Sequence, residues 1–206
     1  MFLTKEKRIH ETIEVMKEAY SRNWITNRDG NCAFKINSEK EILITPSGVA
    51  KKDIKFSSFV KITYSDNVVN FENPQGFSAS GEWEMHYLIL KEEEDSACSL
   101  HLHPPYIVAA MHAGWNLRRM AIPFPEIYRY TKVGNNVKDL PPISKDLAEE
   151  TKKMLDISNS KRSYDIVGQK SHGVTAVAKT PWDAFEHIER LEHISRIVLS
   201  SGVTPE

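Results

Sequence analysis

The chain has 206 residues, of which 40% are hydrophobic and 27% are charged, and its formal net charge at pH 7 is −1. A chain of this size and composition can bury a full apolar core, so we expect one globular domain over residues 1-206. The near-zero net charge gives no long-range electrostatic attraction to nucleic acid or anionic lipid. No apolar run approaches the roughly 20 residues that span a bilayer. These properties predict neither a nucleic-acid partner nor a membrane partner.

Two cysteines, Cys32 and Cys98, lie far apart in the sequence and form no C-x-x-C pattern. Widely spaced cysteines without a pairing framework are typical of a reducing compartment. The N-terminal residues are charged and lack the apolar run of a signal peptide. The sequence therefore predicts a cytoplasmic protein.

The first part of the chain predicts one helix followed by several short strands. Apolar residues at Ile9, Ile13 and Met16 recur every three or four positions, which predicts an amphipathic helix over 5–21. A turn is predicted at 37–39. Short apolar runs bounded by turn-forming residues predict strands at 32–36, 41–44, 59–64 and 68–71, the last two as a hairpin.

The second part of the chain alternates helices with strands. Helices are predicted at 80–92, about 106–115, 145–155 and 182–199. Strands are predicted at 100–103, 165–167 and 174–177. The stretch 121–142, rich in Pro and Tyr, is expected to be irregular, and the acidic run 92–95 to be a solvated turn. This order of elements predicts an α/β fold with a central, mainly antiparallel sheet flanked by helices.

A histidine pair at the end of a predicted strand is the strongest candidate for chemistry. Residues two apart on a strand point to one face, so His101 and His103 converge while Leu102 packs behind them. Two imidazoles at a fixed separation suit zinc or another first-row metal ion. A third ligand is required, and the candidates are His86, His112, His172, His187 and His193. His172 is the most attractive, because it follows a turn and directly precedes an apolar strand.

Other polar residues could complete a site around the histidine pair. A carboxylate close to a metal ion can move a proton, and Glu82 is the natural candidate, with Glu84 on the same turn as a competitor. Three short loops rich in small residues are suited to an anion such as phosphate, namely Gly30-Asn31, Thr45-Pro46-Ser47-Gly48 and Ser78-Ala79-Ser80-Gly81.

Taken in order, these segments resemble the class II aldolase/adducin family, in particular its L-fuculose-phosphate aldolase-type members. The resemblance extends from about residue 10 to 199. It depends on the combination of its parts, which are Gly30-Asn31, Ile42 to Gly48, Ser80-Gly81-Glu82-Trp83-Glu84-Met85-His86, His101-Leu102-His103 and Ser171-His172-Gly173.

The resemblance implies an α/β/α sandwich that assembles as a homotetramer with sites at subunit interfaces. It implies Zn²⁺, or another first-row divalent metal, held by His101, His103 and His172, with Glu82 as the catalytic acid-base. A tyrosine from a neighbouring subunit would donate a second proton, and Tyr130 is the residue we assign, with Tyr128 as an alternative. The implied phosphate-binding residues are Asn31, Thr45, Ser47, Gly48, Ser80 and Gly81.

The implied reaction is aldol cleavage of a small sugar phosphate or hydroxycarbonyl compound through a metal-stabilised enediolate, a role in carbohydrate metabolism. Family aldolases often carry Ser-Ser-Glu where this chain has Ser80-Gly81-Glu82, so one hydroxyl is missing and a phosphate on the substrate stays an open question. Glu82 in place of aspartate argues against an epimerase. A dehydratase or a decarboxylase would use the same residues, and a non-catalytic adducin-like interaction module is the alternative outside the enzymes.

Overall fold

The fold was obtained as a computed structural model, which describes residues 4–36, 40–65, 68–93 and 97–205. The predicted turn at 37–39 and the residues Glu94 and Asp95 of the acidic run lie outside the described residues. No helix in the described ranges combines the length and the apolar content that a bilayer crossing requires.

The described part of the chain forms seven α-helices and nine strands. The α-helices within these ranges are Lys5–Ser21 (α1), Trp83–Leu90 (α2), Pro105–His112 (α3), Leu117–Ala121 (α4), Pro125–Tyr130 (α5), Lys145–Leu155 (α6) and Pro181–Ser201 (α7). The strands are Asn31–Ile36 (β1), Glu41–Ile44 (β2), Val60–Ser65 (β3), Val68–Glu72 (β4), Cys98–Leu102 (β5), Ile157–Ser158 (β6), Lys161–Arg162 (β7), Ile166–Gln169 (β8) and Gly173–Ala178 (β9).

Local sequence explains where several helices begin. The side chains of Thr4, Ser144 and Thr180 cap α1, α6 and α7 by accepting a hydrogen bond from a backbone N–H three residues further on. The helices predicted at 5–21 and 145–155 are confirmed at both ends.

The prediction of an irregular stretch over 121–142 is wrong in part, because it contains α5. Pro125 opens that helix at its first position, where the N–H that proline lacks would have no helical partner.

Seven of the described strands form one sheet in the order β4-β3-β2-β1-β5-β9-β8, with every neighbouring pair antiparallel. Strand β5 lies between β1 and β9, so that His101 is paired with Asn31 on one side and with Thr175 on the other. The predicted central, mainly antiparallel sheet is confirmed.

Helices cover both faces of this sheet. Helices α1, α3 and α7 pack on one face, and α2 and α6 pack on the other. In β5, Leu100 and Leu102 face the apolar core under α1 and α7, whereas Ser99 faces α2 and bonds to its His86. The result is the α/β/α sandwich that the family resemblance implied, and it places His101 on the α2 face.

The prediction that the acidic run 92–95 is a solvated turn is wrong at Glu93, because this residue is buried and only 4% exposed. An Arg162 guanidinium nitrogen lies 3.0 Å from its carboxylate, and Lys152 Nζ lies 2.9 Å from the carboxylate of Glu92. Both cations come from the distant segment that contains α6 and the β6–β7 hairpin, so the sequence near residue 93 carries no sign of this burial.

We predict that Leu102→Ala lowers the free energy of unfolding by about 2–5 kcal/mol, because a fully buried side chain would leave a cavity behind β5. Denaturation by urea measures the change. Ile122→Ala, at a residue that is 56% exposed, is the control and should change the free energy by less than about 0.5 kcal/mol. Equal effects in the two variants would contradict the assigned core.

Candidate metal centre

Three histidines from two distant segments meet at the end of β5. His101 belongs to β5, His103 follows it, and His172 lies in the turn between β8 and β9. Each offers one ring nitrogen, and these nitrogens lie within 4.8 Å of one another. The Nε2 atoms of His101 and His103 are 2.8 Å apart. The structure thus brings together the three residues to which the family resemblance assigned a metal ion.

A glycine makes this convergence possible. A Cβ added to Gly173 would lie 2.5 Å from the carbonyl oxygen of Leu102 and 2.6 Å from the ring of His103. Ser171 has φ +59°, a left-handed conformation that turns the chain sharply before His172. Strand β9 can therefore begin directly against the end of β5, and this contact carries His172 towards the other two rings.

Burial keeps two of the imidazoles neutral. Burial, followed by the nearby His103 and His172, lowers the pKa of His101 well below its usual range, and burial followed by His172 lowers the pKa of His103. A neutral imidazole is the form that binds a metal ion. Nδ1 of His101 lies 3.2 Å from the Thr175 hydroxyl, which leaves Nε2 directed towards the cluster.

The donor set fits a first-row divalent ion. Imidazole nitrogens bind zinc at about 2.0–2.1 Å, which places two tetrahedral ligands about 3.3 Å apart. The nitrogen separations in the cluster, from 2.8 Å up to 4.8 Å, span this value. Three protein ligands would leave one coordination position for a small molecule.

Glu82 lies against the same cluster. It is the residue before α2, and its side chain is 9% exposed. One carboxylate oxygen is 3.4 Å from His101 Nε2, and the other is 3.7 Å from His172 Nε2. Glu84, the competing carboxylate, lines a neighbouring small crevice together with Glu82, Ser144 and Leu147, but it does not line the cavity that contains the histidines.

A buried chain of hydrogen bonds holds Glu82 in place. Asn31 Nδ2 donates to Glu82 at 2.8 Å, so the Oδ1 atom of Asn31 faces His86 Nε2, at 2.5 Å. His86 Nδ1 lies 2.9 Å from the hydroxyl of Ser99. A carboxylate can only accept, so Asn31 presents its amide nitrogen to Glu82 and its amide oxygen to His86. The oxygen accepts from His86 Nε2, which therefore carries the proton, and Nδ1 of the neutral ring accepts from the Ser99 hydroxyl. Burial lowers the pKa of His86 to about 4, which keeps it neutral in this arrangement.

The remaining histidines do not join the cluster. Both ring nitrogens of His86 are engaged in the hydrogen-bond chain. His112 and His193 are exposed on α3 and α7, and His187 bonds to the hydroxyl of Thr131. Of the five candidates for the third ligand, His172 is the one that the structure brings to the pair.

A cavity of about 280 Å³ opens beside the histidines and Glu82. The predicted phosphate-binding residues on its wall are Asn31, Ser47, Gly48, Ser80 and Gly81. Thr45 is not on the wall: it is fully buried, and its hydroxyl accepts a hydrogen bond from the N–H of Cys32 at 3.2 Å. The turn after β2 hence presents Ser47 and Gly48 to the cavity. Thr45 instead stabilises β1 from the interior, through its hydrogen bond with the N–H of Cys32.

Tyr130 does not reach this cavity within one chain. It is 48% exposed on α5, where the guanidinium groups of Arg129 and Arg190 each lie 5.3 Å from its ring centre. Tyr128 is 61% exposed and lines a different cleft, near Arg118 and Tyr164.

Five residues on the cavity wall were missed by the sequence analysis, namely Arg28, Asp29, Lys51, Pro142 and Ile143. Lys51 follows Ser47 by four residues, a proximity that could have drawn attention to it. Ile143 lies in the stretch after Pro141-Pro142, and its position depends on how the chain before α6 folds back over Gly81.

The fold and this cluster define an α/β protein with a candidate divalent-metal centre beside a cavity of small-molecule size. The sequence profile of the Class II Aldolase and Adducin N-terminal domain matches residues 10–199. The chain therefore belongs to the class II aldolase and adducin family, as the resemblance predicted.

Individual relatives match over most of their length. The chain is 24% identical over 187 residues to the L-fuculose phosphate aldolase of Methanocaldococcus jannaschii, with 91% of this chain and 93% of that protein covered. It is 21% identical over 203 residues to the methylthioribulose-1-phosphate dehydratase of Leptospira biflexa, with 87% and 90% covered. The solved structure of a sugar-phosphate aldolase from Thermotoga maritima matches with a TM-score of 0.76 and 20% identity, over 97% of this chain and 98% of that chain. The structural match supports the fold.

We predict that His86→Leu lowers the free energy of unfolding by about 2–4 kcal/mol, because the buried polar atoms of Asn31 and Ser99 each lose a partner worth about 1–3 kcal/mol. His86→Gln keeps an N–H donor and should lose less. Urea denaturation measures both. His112→Leu, at an exposed histidine, is the control. A leucine variant at position 86 as stable as the wild type would show that these hydrogen bonds contribute nothing.

Proposed function

We propose that the chain is a metal-dependent lyase that cleaves a small sugar phosphate or a related hydroxycarbonyl compound by an aldol reaction. The observation that carries the proposal is the position of the Glu82 carboxylate, 3.4 Å and 3.7 Å from the Nε2 atoms of two histidines in a three-histidine cluster. An interaction module has no physical need for such an arrangement at the end of a cavity.

The proposed ligands of Zn²⁺, or of another first-row divalent ion, are His101, His103 and His172. Such an ion would supply Lewis-acid stabilisation to negative charge that develops on a carbonyl oxygen of the substrate. The chain contributes the neutral state of the imidazoles, through the burial that lowers the pKa of His101 and His103. It also contributes the fixed orientation of His101, since the Thr175 hydroxyl lies 3.2 Å from Nδ1 of that residue.

Glu82 is the proposed general acid-base. Its Oε1 atom is buried and has no hydrogen-bond partner among the described residues, whereas Oε2 accepts from Asn31. Oε1 is therefore the atom available to take a proton from a substrate hydroxyl and to return one to a carbon or an oxygen. The hydrogen-bond chain through Asn31 and His86 would hold the carboxylate in position during both transfers.

A dehydratase that uses the same residues is the second candidate. The relative named as a methylthioribulose-1-phosphate dehydratase favours it, because that protein matches 87% of this chain. A dehydratase would also need a proton removed next to a carbonyl group and would differ in the group that leaves. A decarboxylase and a non-catalytic adducin-like module are the further alternatives.

The proposal extends to the organisation of the protein. We infer a single domain, because the family match covers residues 10–199. We also infer a cytoplasmic homotetramer, in which Tyr130 of a neighbouring copy would approach the cavity and donate the second proton. The exposure of Tyr128 and Tyr130 on α5 supports the idea that this helix meets another copy.

We predict that protein purified without chelator retains about one equivalent of zinc or another first-row ion per chain, and that His172→Ala loses most of it. The exposed residue His112 provides the control, His112→Ala. Metal content is measured by elemental analysis of each variant. Less than about half an equivalent in the wild type, with no uptake on reconstitution, would favour the interaction module. Unchanged content in His172→Ala would reassign the third ligand.

We predict that Glu82→Gln keeps its metal ion and loses turnover by about 10²–10⁴-fold, because the amide cannot accept the proton. Glu84→Gln, two residues away, is the matched control and should keep its turnover. The assay follows cleavage of a panel of ketose 1-phosphates and their unphosphorylated analogues. Turnover in Glu82→Gln equal to that of the wild type would place the acid-base role elsewhere.

A further inference from the structure

The two edges of the seven-stranded sheet are built differently. At one edge, the segment 132–137 lies along β8, and the backbone N–H groups of Gly134 and Val137 donate to carbonyl oxygens of that strand at 2.8 Å and 2.7 Å. At the other edge, β4 pairs with β3 alone among the described strands. The backbone groups of β4 that point away from β3 have no hydrogen-bond partner within the described ranges. Strand β4 is therefore the open edge of the sheet.

Strand β4 lacks the features that usually protect an open edge. Edge strands are commonly kept from pairing by lysine, proline, a bulge or an inward-pointing charge. The sequence of β4 is Val68-Val69-Asn70-Phe71-Glu72, and it pairs with β3 in an unbroken register. The single charge, on Glu72, is turned towards β3, because Lys61 Nζ lies 2.7 Å from its carboxylate. Val68 is 56% exposed and Phe71 is 46% exposed. Unpaired backbone and exposed apolar side chains thus occur together.

The residue after β4 fixes the end of the strand. Asn73 Nδ2 donates to the carbonyl oxygens of Ser57 and Phe59 at 3.0 Å and 2.8 Å. Its Oδ1 atom accepts from the backbone N–H groups of Gln75 and Phe77. A strand that is already held in its extended form can template a second strand with a smaller loss of conformational entropy.

The alternation of side chains along β4 limits how a second strand can pair with it. The ring of Phe71 contacts that of Trp83 edge-on, with 4.9 Å between the ring centres, and Val69 packs with Tyr64, so both side chains lie on the α2 face. A two-fold axis perpendicular to the sheet keeps the α2 faces of two copies on the same side. Directly opposite residues share a face, so an axis through Asn70 places Val69 opposite Phe71 of the second copy.

We propose that β4 pairs with β4 of a second copy of this chain, antiparallel and centred on Asn70, so that the two sheets become continuous. The pairing supplies partners to the outward N–H and C=O groups of both strands. It also covers each exposed Phe71 with Val69 of the other copy, beside the aromatic rings of Tyr64 and Trp83. The contact is separate from the one proposed for α5, and it does not depend on the lyase activity.

The pattern of β4 fits a second copy better than an unrelated extended peptide. The order of its residues places the smaller Val69 opposite the larger Phe71 on both sides of the axis. No like charges face each other, because Asn70 lies opposite Asn70, and Glu72 lies opposite Val68. A ladder of five residues is a small interface, so the association should depend on protein concentration.

The register is tested by oxidising Asn70→Cys with copper phenanthroline and separating the products on a non-reducing gel. Directly opposite residues have Cα atoms about 4.5–5.5 Å apart, within the reach of a disulfide. Val68→Cys, at a nearby exposed position of the same strand, is the matched control, because its two copies would lie roughly 14 Å apart. The native Cys32 and Cys98 are buried, and the oxidised wild type gives the background.

We expect a covalent dimer in Asn70→Cys at several times the yield found in Val68→Cys or in the wild type. Absence of the dimer, or equal yields in the two variants, would overturn the proposal. In the first case an occupant other than a second copy would have to cover β4.

Sedimentation of the untreated protein over a range of concentrations tests the contribution of the apolar pair. Phe71→Lys places a charge opposite Val69, so we expect the concentration needed to reach half of the larger assembly to rise about tenfold or more. Ile197→Lys, at a residue of α7 that is 43% exposed, is the control and should leave that concentration unchanged. Identical behaviour of Phe71→Lys and the wild type would contradict the pairing. The cross-linking result does not depend on this variant, and neither experiment involves the metal ion or turnover.

Discussion

The contact between Gly173 and the end of β5 is the constraint on which the candidate site depends. Any side chain at position 173 would collide with the backbone of Leu102 and the ring of His103. Without that contact, β9 could not begin where it does, and His172 would not reach the pair at 101 and 103. Convergence of the imidazoles is thus a result of backbone packing between two central strands, where few alternative positions exist.

The same packing gives the site its electrostatic character. The strand that carries His101 lies in the middle of the sheet, so its imidazole is buried and its neutral form is favoured. Around it, Ser99, His86 and Asn31 satisfy one another's polar atoms and end at Glu82. Hydrogen bonds between buried side chains restrict their movement, and a fixed position is what an acid-base residue needs in order to stay close to its substrate.

The opposite side of the cavity is built differently. There, the side chain of Ile143 occupies the space into which a side chain at position 81 would extend, and the buried Lys51 makes one long hydrogen bond, to the carbonyl oxygen of Pro46. The two walls belong to separate elements, so a substitution in one wall need not disturb the histidine cluster. Residues before α6 shape one wall, and the turn after β2 leads into the other.

The amino-acid sequence by itself determined the sheet class, the approximate positions of most helices and strands, the family, and the set of histidines from which the cluster is drawn. These features depend on local periodicity and on short motifs, such as His101-Leu102-His103, which a linear pattern expresses directly. The family resemblance already implied that His172 joins the pair. Only the tertiary structure decided that His86 supports Glu82, that Thr45 lies behind the cavity, and that Lys51 and Ile143 line it. Those outcomes depend on which surfaces meet across the sheet, and the burial of Glu93 against Arg162 has the same origin. Contacts between distant segments set burial and therefore charge, and no local pattern encodes them.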